Sequence, residues 1–233
     1  DVKQLAAETR KRGMKLVLDG VFNHMGRNSP KYKDAEANAN SPYRDWFVFG
    51  PQYKGGTRTW WNAQNLPELN LENKAVTDHL WGASDSVVRS YLRDGVDGWR
   101  LDVAFDIGFN PLEALTKAAH AEKPGSLVVG EIPNYPREWF PSVDGVMHFG
   151  LRKLMIALAN REMDAPSFQR MAARMVRDAD YEHILKSWLY LDNHDTFRLA
   201  TTMPDAKARK LAQVLLFTLP GAVNLYYGTE VAM

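Results

Sequence analysis

Apolar residues recur along this chain in two alternating rhythms. Val2, Leu5, Ala6 and Thr9 fall at three- and four-residue spacing and predict an amphipathic helix over Asp1–Arg12, with Asp1 as its cap and Gly13 as its stop. Met14–Asp19 is a short, nearly continuous apolar run, the pattern of a strand buried on both faces. It ends in Asp19-Gly20-Val21-Phe22-Asn23-His24, a cluster of polar groups at a strand's C-terminal edge. Asn73 can cap a helix running to Arg93, with Val76, Leu80, Val87, Val88, Tyr91 and Leu92 inward, Gly82 weakening its middle and Gly95 ending it. Val96–Ala104 then reads as a turn feeding a short buried strand. A helix over Pro111–Ala121, with Pro111 at a first helical position, precedes a strand over Ser126–Val129 that ends in Gly130-Glu131. Asp144–Phe149 is another strand, Leu151–Asn160 and Ala165–Asp178 are helices, and Trp188–Leu191 is a strand ending in Asp192-Asn193-His194-Asp195. Ala206–Thr218 predicts a helix and Ala222–Tyr227 a last buried strand.

Strands alternating with helices predict an α/β fold with a parallel sheet. Spacing then selects the architecture. A complete (β/α)8 TIM-type barrel uses about 250 residues, roughly 31 per strand–helix unit. Asp102 to Glu131 is one such unit, and Asn193 to the strand at Tyr227 is another. Asp19 to Asp102 is too long for one unit, which places an insertion at residues 25–74. That insertion lacks any sustained period and interleaves Asn, Ser, Pro and Gly with Tyr32, Tyr43, Trp46, Phe47, Phe49, Trp60 and Trp61, an aromatic content that argues against disorder. An open doubly wound sheet would gather its chemistry at one switch point, whereas polar groups end four different strands here. The expected fold is therefore a (β/α)8 barrel incomplete at both ends, with about six of eight strands. Residues 1–24 and 75–233 would form the barrel. The chain begins inside a helix without an initiator Met and stops just after a strand, so about two strands are expected before Asp1 and a last helix after Met233.

Composition narrows the classes of partner. A net charge of +1 with no basic run gives nothing to attract nucleic acid or an anionic membrane. No apolar run approaches the roughly 18 residues of a membrane span. The absence of cysteine removes disulfides and thiolate metal sites without choosing a compartment. The oligomeric state is open.

The chemistry lies at the strand ends. Alternation along a strand points Arg100 and Asp102 the same way, and a fixed cation two residues from a carboxylate keeps it ionised and aimed. A carboxylate that attacks an electrophilic carbon needs this treatment. In a barrel, Asp19, Asp102, Glu131 and Asp195 converge, with Arg100, His24 and His194 among them. Crowded carboxylates push one another's pKa values apart, which suits one protonated acid beside one ionised base. Glycosidic cleavage uses such a pair, about 5–5.5 Å apart where a covalent intermediate forms with retention. Plainer readings stand beside these: Asp19 and Arg100 as a buried ion pair, and His24 and His194 as satisfied histidines at loop bases. The insertion's Trp and Tyr residues read more readily as core than as sugar platforms, and of the adjacent Trp60 and Trp61 at most one is expected to face a cleft. His148 reads as a core or supporting residue.

Four short motifs in order, Asp19-Gly-Val-Phe-Asn23-His24, Gly98-Trp-Arg100-Leu-Asp102, Gly130-Glu131-Ile and Asn193-His194-Asp195, resemble those of the α-amylase family of glycoside hydrolases. Leu66-Pro67-Glu68-Leu69-Asn70 resembles the family's extra motif, and Tyr227-Gly228-Thr229-Glu230 its last barrel loop. The resemblance covers essentially the whole chain. It implies Asp102 as nucleophile, Glu131 as general acid and then base, and Asp195 as the group that holds sugar hydroxyls and stabilises the distorted transition state. It also implies that Arg100 orients Asp102, that His24 and His194 bind hydroxyls of the cleaved sugar, and that Asp19 braces Arg100. The insertion would be the family's small domain B, one wall of the cleft.

Two departures refine this. Where many endo-acting amylases carry a Lys-His pair after the nucleophile, this chain has Val103-Ala104-Phe105-Asp106, which resembles the neopullulanase and cyclomaltodextrinase branch or a short-oligosaccharide glucosidase, as does WWNAQNLPELN. Pro133 replaces the Trp often found after the acid. Asn23 stands where many α-amylases bind calcium, but calcium takes six to eight oxygens and the insertion has few acids to help; the expectation is no cofactor, with calcium at Asn23 as the alternative. The expected function is a retaining hydrolase of α-1,4 links, with α-1,6 links as the alternative, in malto-oligosaccharides or cyclodextrins. Transglycosylation through the same intermediate, a non-catalytic binding module and a metal-dependent barrel hydrolase are the rivals.

Overall fold

The computed structural model describes all residues, 1–233, and divides into two compact units, residues 1–128 and 129–233.

In the first unit, helix α1 (Val2–Lys11) starts where Asp1 accepts a hydrogen bond from the Gln4 amide at 2.9 Å. It ends before Gly13, whose φ of +70° suits glycine. Only Ala6 of its expected inner face is buried; Leu5 stays half exposed. Strand β1 (Val17–Gly20) is not buried on both faces: its side chains are mostly partly exposed and Asp19 is open to solvent, because it pairs on one side only. The insertion carries one eight-residue helix, α2 (Pro30–Ala37), with short 3-10 segments, isolated antiparallel bridges and turns making up the rest. Its core is aromatic: Tyr32 meets the Phe47 ring edge-on at 4.9 Å, Trp46 is buried, and the Tyr32 hydroxyl bonds the Thr57 hydroxyl at 2.9 Å.

The single helix expected from Asn73 to Arg93 is two. Asn73 caps α3 (Lys74–Thr77), accepting from the Ala75 amide at 2.8 Å. The chain then widens into a five-residue π-turn over Asp78–Gly82, breaks, and restarts as α4 (Val87–Arg93) after Ser86. Gly82 and the run Ser84-Asp85-Ser86 explain the break, since these residues stabilise ends and turns rather than helix interiors. Strand β2 (Gly98–Leu101) is buried throughout and lies parallel to β1, with Val17 opposite Gly98 and Asp19 opposite Arg100. A one-turn helix, α5 (Ala104–Ile107), leads into α6 (Phe109–Glu122), so Pro111 stands at the third helical position rather than the first. Strand β3 (Leu127–Glu131) begins within this unit, its Leu127 amide bonding the Asp97 carbonyl at 3.0 Å. Its remainder opens the second unit.

There β3 pairs in parallel with β4 (Gly145–Met147), Glu131 opposite Met147. Helices α7 (Phe149–Ala159), α8 (Ala165–Ala179) and α9 (Tyr181–Lys186) follow; the last is too short to read from periodicity. β5 (Trp188–Leu189) pairs with β4, and after α10 (Leu199–Thr202) and α11 (Ala206–Thr218) comes β6 (Ala222–Val223), parallel to β5. β6 is shorter than expected and not buried: paired on one side only, it leaves Val223 and Leu225 substantially exposed. No helix is long and apolar enough to cross a membrane.

Close strand packing depends on glycine. A Cβ at Gly98 would stand 2.4 Å from the Leu127 carbonyl oxygen, inside backbone that cannot rotate away. Gly98→Ala should cost about 2 kcal/mol or more. A shift of the denaturant midpoint to lower concentration checks this; an unchanged midpoint contradicts it.

Candidate active site

The first unit gathers four of the expected site residues. Asp19 on β1 and Arg100 on β2 are register partners, and Asp102 follows β2 directly. The buried Arg100 guanidinium donates through one nitrogen to both carboxylates, to Asp19 Oδ1 at 2.8 Å and to Asp102 Oδ1 at 3.0 Å. The shared face expected from strand alternation is therefore present. Asp19 keeps about half its side chain in solvent, whereas Asp102 is only 21% exposed. The Asp102 amide is anchored to the Gly20 carbonyl at 3.1 Å.

Backbone strain sits one residue further on. Val103 adopts φ +48°, ψ +38°, a left-handed conformation that is a true outlier for a β-branched residue. It turns the chain out of the strand immediately after Asp102, and such strain persists only where the surroundings over-determine it.

His24 closes one side. It is buried, and its Nε2 lies 3.9 Å from Asp102 Oδ2, longer than a hydrogen bond. Burial lowers its pKa, opposed by the nearby charges of Asp102, Glu68 and Asp106. The imidazole is thus neutral at neutral pH and able to hydrogen-bond a hydroxyl in either sense. It pairs with Glu68 as an antiparallel bridge, and the Trp60 ring stacks on it at 5.6 Å. Trp60 is fixed in turn by donating its indole N–H to Asp106 Oδ2 at 2.9 Å. Asp106 and Trp60 lie 46 residues apart, and nothing local in the sequence marks their bond. Beside them is a pocket of about 310 Å³ lined by Asn23, Glu68, Asn70, Glu72, Asp106 and neighbours.

Asn23 turns its amide nitrogen toward His24 Nδ1, at 3.5 Å. No group of three or more His, Cys, Asp or Glu side chains is arranged to share an ion.

In the second unit Glu131 ends β3, partly exposed. His194 and Asp195 follow β5 and contact each other, Nε2 to Oδ2 at 3.1 Å, both more than half exposed. Asn193 shapes this loop: its side-chain oxygen accepts from the Asp195 amide at 3.2 Å, and its own amide donates to the Thr196 hydroxyl at 3.0 Å. Asp192, to which the sequence assigns no role, is the buried anchor. Its two oxygens accept from the Leu199 amide at 2.8 Å and the Thr229 hydroxyl at 2.6 Å, tying the loop to the turn after β6. A pocket of about 440 Å³ beside this loop is lined by Arg152, His194, Asp195, Thr196, Phe197 and Thr202.

Comparison with known proteins gives this arrangement a lineage. The family model described as "Alpha amylase, catalytic domain" matches residues 1–233, and the chain belongs to the α-amylase family. It is 31% identical to neopullulanase 2 of Thermoactinomyces vulgaris over 99% of this chain and 41% of that protein. It is 30% identical to a cyclomaltodextrinase of a Bacillus species over its whole length and 43% of that protein. Among solved structures, the ligand-free cyclic α-maltosyl-(1→6)-maltose hydrolase of Arthrobacter globiformis superposes with a TM-score of 0.92 at 30% identity, over 99% of this chain and 54% of that one. The fold class is the α/β barrel class expected from the strand spacing, represented here by six strands. The chain spans about two-fifths of the length of the curated relatives it matches.

His148 is a buried supporting residue. It caps α7, its Nδ1 accepting from the Leu151 amide at 3.3 Å, and burial pushes its pKa down to about 4. Unfolded, it would titrate near 6.5, so between those values the unfolded chain binds the extra proton. Its stabilising contribution is complete above pH 6.5 and is lost as pH falls toward 4, by roughly 3 kcal/mol. Denaturation midpoints at pH 7, 6 and 5 should fall accordingly, and His148→Asn should flatten that slope; a parallel slope in the variant contradicts the assignment.

Proposed function

We propose that the protein is a retaining α-glucan hydrolase, cleaving α-1,4 glycosidic bonds, with α-1,6 bonds as the alternative, of malto-oligosaccharides or cyclodextrins through a covalent glycosyl-enzyme intermediate. The observation that carries this is the Asp19–Arg100–Asp102 arrangement beside a neutral, buried His24, within a chain that matches the family's catalytic domain from end to end. A cation hydrogen-bonded to Asp102 fixes its direction, and a carboxylate nucleophile must be aimed.

In this reading Asp102 attacks the anomeric carbon while Glu131 gives its proton to the departing glycosidic oxygen. The sugar is then esterified to Asp102 and the leaving chain departs as an alcohol. Glu131, now ionised, takes a proton from water; the hydroxide attacks the same carbon, the ester bond breaks, and Asp102 returns as a carboxylate. Two displacements leave the anomeric configuration unchanged. His24 and His194 hold hydroxyls of the sugar being cleaved, Asp195 supports its distorted ring, and Asp19 braces Arg100. The insertion at residues 25–74 forms a wall of the cleft. The names of the relatives support the substrate class: neopullulanase, cyclomaltodextrinase and a hydrolase of a cyclic maltosyl-maltose.

In the full-length protein, Asp102→Ala should lower turnover of maltotriose by roughly 10⁴-fold or more while leaving sugar binding largely intact. Proton NMR of the first products should show the α-anomer. Full activity of the variant ends the assignment of Asp102, and initial release of the β-anomer ends the double displacement. Product profiles on maltotriose, cyclodextrin and pullulan separate hydrolysis from transfer to a second sugar.

A further inference from the structure

One large apolar side chain of the insertion is left largely outside the core. Trp61 is 80% exposed, and its backbone adopts φ +48°, ψ +33°, followed by Asn62 at φ +58°. Two consecutive left-handed residues with side chains are unfavourable, and neither is glycine. The strain holds an indole out of the core rather than burying it, against the ordinary gain from covering apolar surface.

The inner face of Trp61 is built into a series of rings. It stacks on Trp60 at 5.7 Å with 21° between planes, and Trp60 stacks on His24 at 5.6 Å with 24°. His24 stands 3.9 Å from Asp102, and the Asp106 carboxylate pins Trp60 against sliding. The outward indole face is thus a rigid aromatic surface at a fixed offset from the carboxylate that would carry the reaction. Aromatic faces are electron-rich and attract the weakly positive C–H groups that line the flat side of a pyranose ring. A flexible hydrophobic residue would offer neither the flatness nor the fixed position.

We propose that Trp61 is a stacking platform for a glucose unit of the α-glucan chain flanking the one being cleaved, so that it sets the preference for longer substrates. This rests on the function proposed above, since it names a further sugar position of the same site. Trp60 is the support and Trp61 the contact surface; their adjacency does not oblige them to face opposite ways, because the left-handed turn at Trp61 brings the second ring back over the first.

The test uses the full-length protein with Trp61→Ala and Trp61→Phe, assayed on maltotriose and maltoheptaose. Trp61→Ala should raise KM for maltoheptaose about tenfold with kcat within about twofold, and should affect maltotriose less. Trp61→Phe should recover most of the loss, and thermal midpoints should stay unchanged. Equal KM values for Trp61→Ala and wild type on both substrates overturn the platform. A fall in kcat and thermal midpoint together also overturns it, by showing that Trp61 is packed under another segment. A wild-type protein that cleaves no α-glucan overturns the proposed function instead; the platform is then judged by maltoheptaose affinity alone, and equal affinity of Trp61→Ala and wild type rejects it.

Discussion

A single buried guanidinium holds the first unit's chemistry in place. Arg100 donates from β2 to Asp19 on β1 and to Asp102 just beyond its own strand. Burying a lone cation would be costly, and two carboxylates at hydrogen-bond distance offset that cost. The same pairing specifies register: sliding β1 by one residue would turn Asp19 to the opposite face and leave Arg100 short of a partner. Architecture and electrostatics therefore depend on one contact, and the left-handed turn at Val103 completes it by directing the chain away as soon as Asp102 is placed.

Much of this was legible in the order of residue types. A strand whose C-terminal end carries acids and histidines is conspicuous, because apolar runs rarely end in such clusters without a use for them. The Arg100–Asp102 alignment followed from strand alternation alone. What escaped the pattern was governed by local competition or by distance. The Asn73–Arg93 segment has helical periodicity throughout, yet Gly82 and the serines and aspartate after it break it into two pieces. α9 spans six residues with Tyr181 and Leu185 outward, so it lacks an amphipathic signature. β1 and β6 read as buried because they are apolar, but burial depends on what lies alongside, which composition does not reveal. Asp192 stood in plain view among other polar residues; only its bonds to Leu199 and Thr229 distinguish a structural brace from a chemical group.

Two histidines with depressed pKa values show how burial serves different ends. His148 is kept neutral deep in the second unit, where it caps a helix. His24 is kept neutral by the same desolvation but among carboxylates that pull the other way. The balance leaves an imidazole able to donate or accept next to Asp102, which a permanently charged group could not do.

The Trp60–Asp106 hydrogen bond joins the insertion to the short helix that follows Asp102. A tether of this kind makes the two segments share their fluctuations. Heat or denaturant that loosens the insertion would blur the aim of Asp102 before the strands themselves give way. Improving the endurance of this protein would then be a matter of reinforcing residues 25–74, which lie outside the sheet yet bear on what its strands hold.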